Sequence, residues 1–353
     1  MGEANQYNIG GMNIMKLKKQ FSEFYDEIMI KDESEPLREK REILQKDIED
    51  KFPDVLASHN IELKKSDIEI FDQGSYKYHT TIKATVIDRD VAVMIPLDIN
   101  QYPDTRKIKG YLRDAIDLVS RTVDIKEPCV NVAYFEDGEE WMHIDLPLYA
   151  VHDGNVYLAR GKEFADDFSW EIADPKGLNQ DLCDKINGNA QLRRIIRYIK
   201  KWRNEKYTNS TLDHEIPPSI GLTYLACDCF QEVSSSEGED DLMALQQTMR
   251  AIKDMFILTK DNGIIVKADI TRNLPVEPYT DIFKIMKESS DSYGVRFYNR
   301  LSKAVQNLTD AVNVESEHDA GVYVQKVFGD EFEVPPKQAS SASTSSKKEQ
   351  SFG

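Results

Sequence analysis

The stretch FDQGSYKYHTTIKATVIDRDVAVMIPLD, residues 71–98, decides the fold of this 353-residue chain. It begins at the end of a strand-like run and turns at Gly74 and Ser75. A β-branched run then carries Asp88 and Asp90 into an apolar segment. Side chains of a strand alternate between its two faces, so this spacing places Asp88 and Asp90 on the same face. The stretch therefore predicts a turn followed by a central strand with two carboxylates on one side.

Two neighbouring carboxylates repel each other, by about 4 kcal/mol at about 4 Å and an effective dielectric constant near 20. A divalent cation would remove that repulsion, and carboxylate oxygens suit Mg²⁺ or Mn²⁺. The Gly-Ser turn can present backbone N–H groups and a hydroxyl to a metal-bound triphosphate. A lone Asp-x-Asp is nevertheless short and common, so on this stretch alone a hairpin with two solvated aspartates is the simpler interpretation.

A third carboxylate favours a metal site over a hairpin with solvated aspartates. The alternating runs VNVAYF (130–135) and WMHIDLPLY (141–149) are separated by a turn and predict a hairpin. Asp145 interrupts the second, apolar strand, where an uncompensated carboxylate would be costly. A third metal ligand explains its position better than a solvated edge does. His143 lies two residues earlier and is interpreted as a partly exposed structural histidine.

This order of motifs resembles the DNA polymerase β-like nucleotidyltransferase superfamily: Gly-Ser, then Asp-x-Asp on one strand, then a lone Asp on a later strand. Within it, the chain resembles the bacterial relatives of cyclic GMP–AMP synthase and oligoadenylate synthase. These are the CD-NTases, which make cyclic oligonucleotides in CBASS anti-phage systems. The resemblance covers roughly residues 10–334 and includes, in family order, WEIADPKG (170–177), RIIRYIKKWR (194–203), IPPSIGL (216–222) and YVQKVFG (323–329).

The resemblance implies an α+β fold. A nucleotidyltransferase lobe, built from a mixed twisted sheet with helices, would be joined to a helical C-terminal lobe, with the active site in the cleft between them. The implied divisions are residues 1–173 for the N-terminal helices and the catalytic domain and 174–334 for the helical nucleotide-binding lobe. Residues 335–353 would form a tail.

The resemblance also implies the site residues. Asp88, Asp90 and Asp145 would be catalytic and would hold two Mg²⁺ (or Mn²⁺) ions per site. The residues implied to bind the nucleotide are Gln73, Gly74, Ser75, Lys200 and Ser219. Several relatives carry an aromatic residue directly after the serine, but here it is Ile220, so base stacking must come from elsewhere.

The implied reaction joins NTPs, ATP among them, into a cyclic di- or trinucleotide second messenger with release of pyrophosphate. The product would act on a downstream effector. A linear, oligoadenylate-type synthase and a protein-AMPylating enzyme share every motif and stay open as alternatives. A catalytically inactive nucleotide-binding regulatory module is a third alternative, which the presence of all three carboxylates disfavours.

The composition of the chain indicates which partners and which cellular compartment to expect. Its 45 basic and 62 acidic residues give a net charge of −17, which argues against a nucleic-acid activator because phosphate contacts need clustered Lys and Arg. No apolar run approaches the roughly 20 residues of a membrane span, and no secretory signal is visible at the N-terminus. Four cysteines without zinc spacing fit a reducing compartment. We therefore expect a bacterial cytoplasmic protein without a membrane partner.

The last residues, PPKQASSASTSSKKEQSFG (335–353), lack an apolar pattern and predict a disordered, Ser-rich tail that ends in glycine. Some CBASS operons encode a ubiquitin-ligase-like partner that conjugates the synthase through its C-terminal glycine. The resemblance therefore implies Gly353 as a conjugation site.

Overall fold

The computed structural model describes residues 15–30, 35–84, 86–118 and 121–337. Its helices are α1 (Lys18–Ile28), α2 (Glu35–Ser58), α3 (Gly74–Lys77), α4 (Thr105–Ile116), α5 (Pro175–Ile186), α6 (Ala190–Tyr207), α7 (Ser219–Cys229), α8 (Asp241–Asp254), α9 (Lys284–Ser289), α10 (Asp291–Asn313) and α11 (Glu317–Phe328). Its strands are β1 (Glu69–Gln73), β2 (Ile87–Pro96), β3 (Thr122–Ile125), β4 (Val130–Glu136), β5 (Glu139–Leu146), β6 (Leu148–His152), β7 (Asn155–Arg160), β8 (Ser169–Ile172), β9 (Ser234–Ser235), β10 (Gly238–Glu239), β11 (Ile257–Asp261) and β12 (Ile264–Asp269).

An eight-stranded mixed sheet is built around β2. Strand β1 pairs antiparallel with one edge of β2, and β5 and then β6 pair parallel with the other edge. β5 is followed outward by β4 and β3, and β6 is followed outward by β7 and β8. Pro147 separates β5 from β6, and its carbonyl accepts a hydrogen bond from the Val93 amide (3.0 Å). The predicted hairpin of residues 130–149 is confirmed by the antiparallel pairing of β4 with β5.

The two faces of β2 pack differently. Val91, Val93 and Ile95 are buried in an apolar core whose helical side chains come from α2 and α4. The alternate residues Ala92 and Met94 pack with aromatic and apolar side chains on the other face. Because strand side chains alternate, the face that carries Asp88 and Asp90 is the one turned away from α2 and α4.

A second core is helical and includes the buried side chains of Tyr198 and Trp202 on α6. Helix α1 belongs to this core although it precedes the sheet in sequence. Phe21 and Phe24 of α1 are buried there, and the ring centroids of Phe24 and Phe328 lie 4.7 Å apart. The implied boundary between residues 173 and 174 stays a prediction, since α1 lies before it but packs with the helices after it.

The arrangement confirms the predicted α+β fold, with a sheet-containing lobe and a helical lobe. Among the described residues, no helix is both long and apolar enough to cross a membrane. The start of the predicted tail is ordered, because the Pro335 carbonyl lies 2.7 Å from Nδ1 of His318. Residues 338–353, and with them the implied conjugation site Gly353, lie outside the described residues.

Candidate active site

A cleft of about 270 Å³ lies between the sheet and the helical lobe. Two of the three predicted catalytic carboxylates, Asp88 and Asp90, line it. All five predicted nucleotide-binding residues line it as well: Gln73, Gly74, Ser75, Lys200 and Ser219. The structure therefore brings together residues from β1, β2, α3, α6 and α7 that lie far apart in sequence, and their individual roles stay predictions.

Strand register explains how the sheet side of the site is built. Asp90 on β2 is paired with Asp145 on β5, so the third carboxylate lies directly beside the second. The same row continues to Gln73 on β1 and to Asn131 on β4. Paired residues on neighbouring strands point to the same face, so four polar side chains form one line across the sheet.

Gly74 allows the chain to pass close to this row. It begins the short helix α3, where the sequence predicted a turn, and its φ of +67° favours glycine. A Cβ atom at this position would lie 1.9 Å from Oδ2 of Asp90. The absence of a side chain at residue 74 is therefore what lets the backbone approach the carboxylate.

Burial, and then the neighbouring charges of Asp88 and Asp145, disfavour the charged form of Asp90 and raise its pKa to about 8. Asp88, His143 and Asp145 each offer one ligand atom, and these atoms lie within 4.8 Å of one another. Oxygen-rich, negatively charged surroundings of this kind fit a divalent cation. Asn131 Nδ2 donates a hydrogen bond to Asp145 Oδ1 (2.7 Å), which fixes the orientation of that carboxylate.

His143 is part of this cluster, which the interpretation as a structural histidine did not anticipate. It is paired with Asp88 across β2 and β5, and its Nε2 lies 3.2 Å from Asp88 Oδ1. Its Nδ1 lies 2.9 Å from Glu140 Oε1. The contact with Asp88, together with that to Glu140, raises the pKa of His143 to about 9 against the opposing effect of burial.

The helical side of the cleft contributes a buried lysine. Lys200 is 5% exposed, and its Nζ donates hydrogen bonds to the carbonyl (3.2 Å) and the hydroxyl (3.0 Å) of Thr80. Burial, and then the positive charges of Arg197 and Arg203, lower its pKa to about 7. An anionic ligand in the cleft would reverse this effect, because an opposite charge favours the charged form of an amine.

Some residues of the site had only weak signals in the sequence. Asn131 is a polar residue inside an apolar strand, and its position opposite Asp145 in the predicted hairpin could have indicated it. Tyr78, whose hydroxyl donates to Asn179 Oδ1 (3.2 Å), joins the two lobes at the cleft. No sequence pattern predicts the contact between Tyr78 and Asn179, because it depends on how the two lobes pack.

Residues 68–149 match the family model described as the nucleotidyltransferase domain of DncV-like cyclic GMP–AMP synthases. A cyclic GMP–AMP synthase of Escherichia albertii is 28% identical over 197 residues, which is 51% of this chain and 41% of that protein. The match thus spans about two fifths of the length of the relative.

The fold is similar to solved DncV structures. The GTP-bound form from Vibrio cholerae has a TM-score of 0.67 at 16% identity, covering 90% of this chain and 96% of the other. The 3′-deoxy GTP-bound form from Escherichia coli has a TM-score of 0.62 at 15% identity, covering 87% and 93%.

A twisted mixed sheet with paired aspartates on its central strand, facing a helical lobe across a cleft, resembles the polymerase β-like nucleotidyltransferase superfamily. Within this superfamily, residues 68–149 match the DncV-like domain. The chain is similar to the CD-NTases of that superfamily.

Proposed function

We propose that this chain joins NTPs, ATP among them, into a cyclic di- or trinucleotide with release of pyrophosphate. One observation carries the proposal: carboxylates on the sheet and a buried lysine on α6 line a single cleft. Carboxylates suit the cations that accompany a triphosphate, and an amine suits its phosphate oxygens. The likeness to cyclic GMP–AMP synthases supports a cyclic product.

In this proposal the cation site would hold two Mg²⁺ or Mn²⁺ ions. Asp88 and Asp90 would hold both ions, and Asp145 would complete the one beside the attacking ribose hydroxyl. When bound, such ions lower the pKa of that hydroxyl and neutralise charge on the α-phosphate and the departing pyrophosphate. Asn131 keeps the carboxylate of Asp145 in a single orientation toward this position.

The triphosphate of the donor nucleotide would lie between Ser75 on α3 and Lys200 with Ser219 on the helical lobe. Ser219 is the first residue of α7, where backbone N–H groups lack helical partners and favour anions. Lys200 is already held by Thr80, so it need not be ordered when a nucleotide binds. Closure of the ring would require the second hydroxyl to react in the same cleft.

The walls of the cleft supply apolar surface for a base. Leu178 and Leu182 of α5 and Ile220 of α7 line it on the helical side. Tyr149 lines it on the sheet side, and its hydroxyl lies 3.3 Å from Gln73 Oε1. These side chains would take the place of the aromatic residue that several relatives carry after the serine.

The resemblance to CBASS synthases further supports a role in anti-phage signalling in the bacterial cytoplasm, with the product acting on a downstream effector. It also supports conjugation at Gly353 by a ubiquitin-ligase-like partner. Deletion of Gly353 should abolish conjugate formation while nucleotide synthesis continues. Conjugation that survives the deletion would contradict this part of the proposal.

The function is tested by incubating the purified protein with all four NTPs and Mg²⁺ or Mn²⁺, followed by phosphatase and mass spectrometry. We expect a phosphatase-resistant species with the mass of a cyclic di- or trinucleotide. The control is the double variant Asp88→Ala with Asp90→Ala, which should retain the fold and form no product. Product formed by that variant would refute the assigned site.

Other outcomes of the same experiment identify the alternatives. Linear products alone would indicate an oligoadenylate-type synthase. Nucleotide attached to protein would indicate an AMPylating enzyme. Nucleotide binding without any product would indicate a regulatory binding module.

A further inference from the structure

Four polar side chains form a two-by-two array on the cleft face of the sheet. On the parallel strands β2 and β5, Asp88 is paired with His143 and Asp90 with Asp145. Three corners of the array are the predicted carboxylate ligands. The fourth corner is an imidazole, whose Nε2 lies 3.2 Å from Asp88 Oδ1.

Glu140 fixes the direction of that imidazole. Its Oε1 lies 2.9 Å from His143 Nδ1, and an ionised carboxylate only accepts hydrogen bonds, so Nδ1 carries the shared hydrogen. The other nitrogen, Nε2, is thereby turned toward Asp88. A carboxylate on one ring nitrogen with the other directed at ligand oxygens is the arrangement of a metal-binding histidine.

We propose that His143 Nε2 is an additional ligand of the cation in this cleft, releasing its proton to solvent when the cation binds, and that Glu140 is its positioning residue. The inference deepens the proposed function and rests on its cation site. The ligand atoms of Asp88, His143 and Asp145 are already within 4.8 Å of one another, so one ion can contact all three.

The consequence is a preference between cations. Carboxylates suit both Mn²⁺ and Mg²⁺, but Mn²⁺ is a transition metal that accepts an imidazole nitrogen more readily than Mg²⁺, which keeps oxygen ligands. A site with one imidazole therefore favours Mn²⁺ over Mg²⁺ more strongly than a site built from carboxylates alone. Removal of the imidazole should reduce that preference.

A purely electrostatic role predicts the opposite change. If His143 only neutralises Asp88 as an ion pair, its removal leaves more negative charge and strengthens the binding of any cation. The direction of the change in Mn²⁺ affinity therefore separates a ligand from an ion-pair partner.

The test uses the full chain without nucleotide and measures Mn²⁺ binding by electron paramagnetic resonance, with Mg²⁺ as competitor. His143→Ala should weaken Mn²⁺ binding by about tenfold and should change Mg²⁺ binding much less. Glu140→Gln should weaken Mn²⁺ binding in the same direction. Pulsed measurements should detect nitrogen-14 coupling to bound Mn²⁺ in the wild type and not in His143→Ala.

The matched control is His152→Ala. His152 is also flanked by two carboxylates, with Nδ1 3.6 Å from Asp98 Oδ1 and Nε2 3.4 Å from Asp153 Oδ2, but it lies outside the cluster of Asp88, His143 and Asp145. Its removal should leave the affinity for Mn²⁺ and the nitrogen coupling unchanged.

The inference is overturned if His143→Ala binds Mn²⁺ as tightly as the wild type, or more tightly, and the wild type shows no nitrogen coupling. If in that case Asp88→Asn with Asp90→Asn still abolishes Mn²⁺ binding, the cation site of the proposed function stands without His143. A wild-type chain that binds neither cation, with or without nucleotide, would refute both.

Discussion

Asp90 lies directly opposite Asp145 on parallel strands, with Asp88 two residues away on the same face. A folded protein gains no stability from three carboxylates in one place, because burial and mutual repulsion both disfavour the charged forms. The pKa of Asp90, raised to about 8, is a sign of that cost. Burial is its largest cause, and the charges of Asp88 and Asp145 add to it. The cluster is therefore a place where the fold gives up stability for a site that attracts cations.

The first prediction follows from this cost. Asp90→Asn should lower turnover by about 1,000-fold or more, since it removes a ligand from the reacting centre. The same change should raise the free energy of unfolding in EDTA by about 1 kcal/mol, because a buried carboxylate beside two others is neutralised. Product analysis and thermal unfolding in EDTA provide the two measurements. A variant that is both active and less stable than the wild type would contradict the assignment.

The second prediction concerns the close approach at Gly74. Gly74→Ala should destabilise the fold by about 1–2 kcal/mol through its positive φ and should also abolish most activity, because the new methyl group displaces the Asp90 carboxylate. Gly154→Ala is the matched control, with a φ of +78° and nothing within 4 Å of the added atom. It should lose similar stability and keep its activity. Equal activity losses in the two variants would show that the contact with Asp90 is unimportant.

The third prediction concerns proton uptake by Lys200. With a pKa of about 7, caused first by burial and then by Arg197 and Arg203, this lysine is mostly neutral at pH 8. A bound triphosphate favours its charged form, so nucleotide binding at pH 8 should take up close to one proton. Nucleotide affinity should then fall as pH rises from about 7 to about 9.

Calorimetry with a non-reacting NTP analogue, in buffers of different ionisation enthalpy, measures this uptake. The Lys200→Met variant should bind the analogue more weakly and without the additional proton. Lys201→Met serves as the control, because Lys201 pairs with Glu331 (2.6 Å) and does not line the cleft. Loss of the proton uptake in the Lys201 variant alone would contradict the placement of the triphosphate.

The fourth prediction concerns a structural ion pair far from the cleft. Asp47 on α2 hydrogen-bonds the buried guanidinium of Arg121, whose Nε also donates to the Ile116 carbonyl (2.7 Å). Burial alone would raise the pKa of Asp47, but hydrogen bonds from Lys51 and Arg121 outweigh that effect and hold it below its ordinary value. Asp47→Asn should therefore cost about 3 kcal/mol at pH 7, because it leaves a buried charge without its partner.

The pH dependence of this cost has a definite sign. A lowered folded-state pKa gives stability that is present above the unfolded pKa of about 4 and is lost as pH falls through the folded pKa. Urea unfolding should thus show the difference between wild type and Asp47→Asn shrinking below about pH 4. Asp50→Asn, which breaks the exposed pair with Lys65 (2.9 Å), should change the free energy of unfolding much less than Asp47→Asn at pH 7. A difference for Asp47 that is constant with pH would refute the ion-pair explanation.

Relations between near neighbours in the chain were predictable from the sequence. The shared face of Asp88 and Asp90 depends only on strand alternation, and the β4–β5 hairpin depends on two alternating runs and the turn between them. Gly74 was predicted in a turn; the structure begins the short helix α3 there, and the positive φ of this residue favours glycine.

Relations between distant segments were not predictable from the residues alone. The pairing of Asp88 with His143 depends on the register of two strands that are separated by α4, β3 and β4, and no local pattern records that register. The burial of Lys200 depends on Thr80 from the other lobe. Likewise, the apolar stripe of α1 predicts a buried face but does not say which of the two cores receives it.

The packing of α1 in the helical core means that the chain passes between the lobes twice, once between α1 and α2 and once between β8 and α5. Two covalent crossings limit how far the lobes can separate, so an opening of the cleft would be a hinge movement. Such a movement would draw the carboxylates of the sheet away from the lysine and serine of the helices. Because the triphosphate would contact both lobes, binding of a nucleotide would also bring the parts of the reaction centre together.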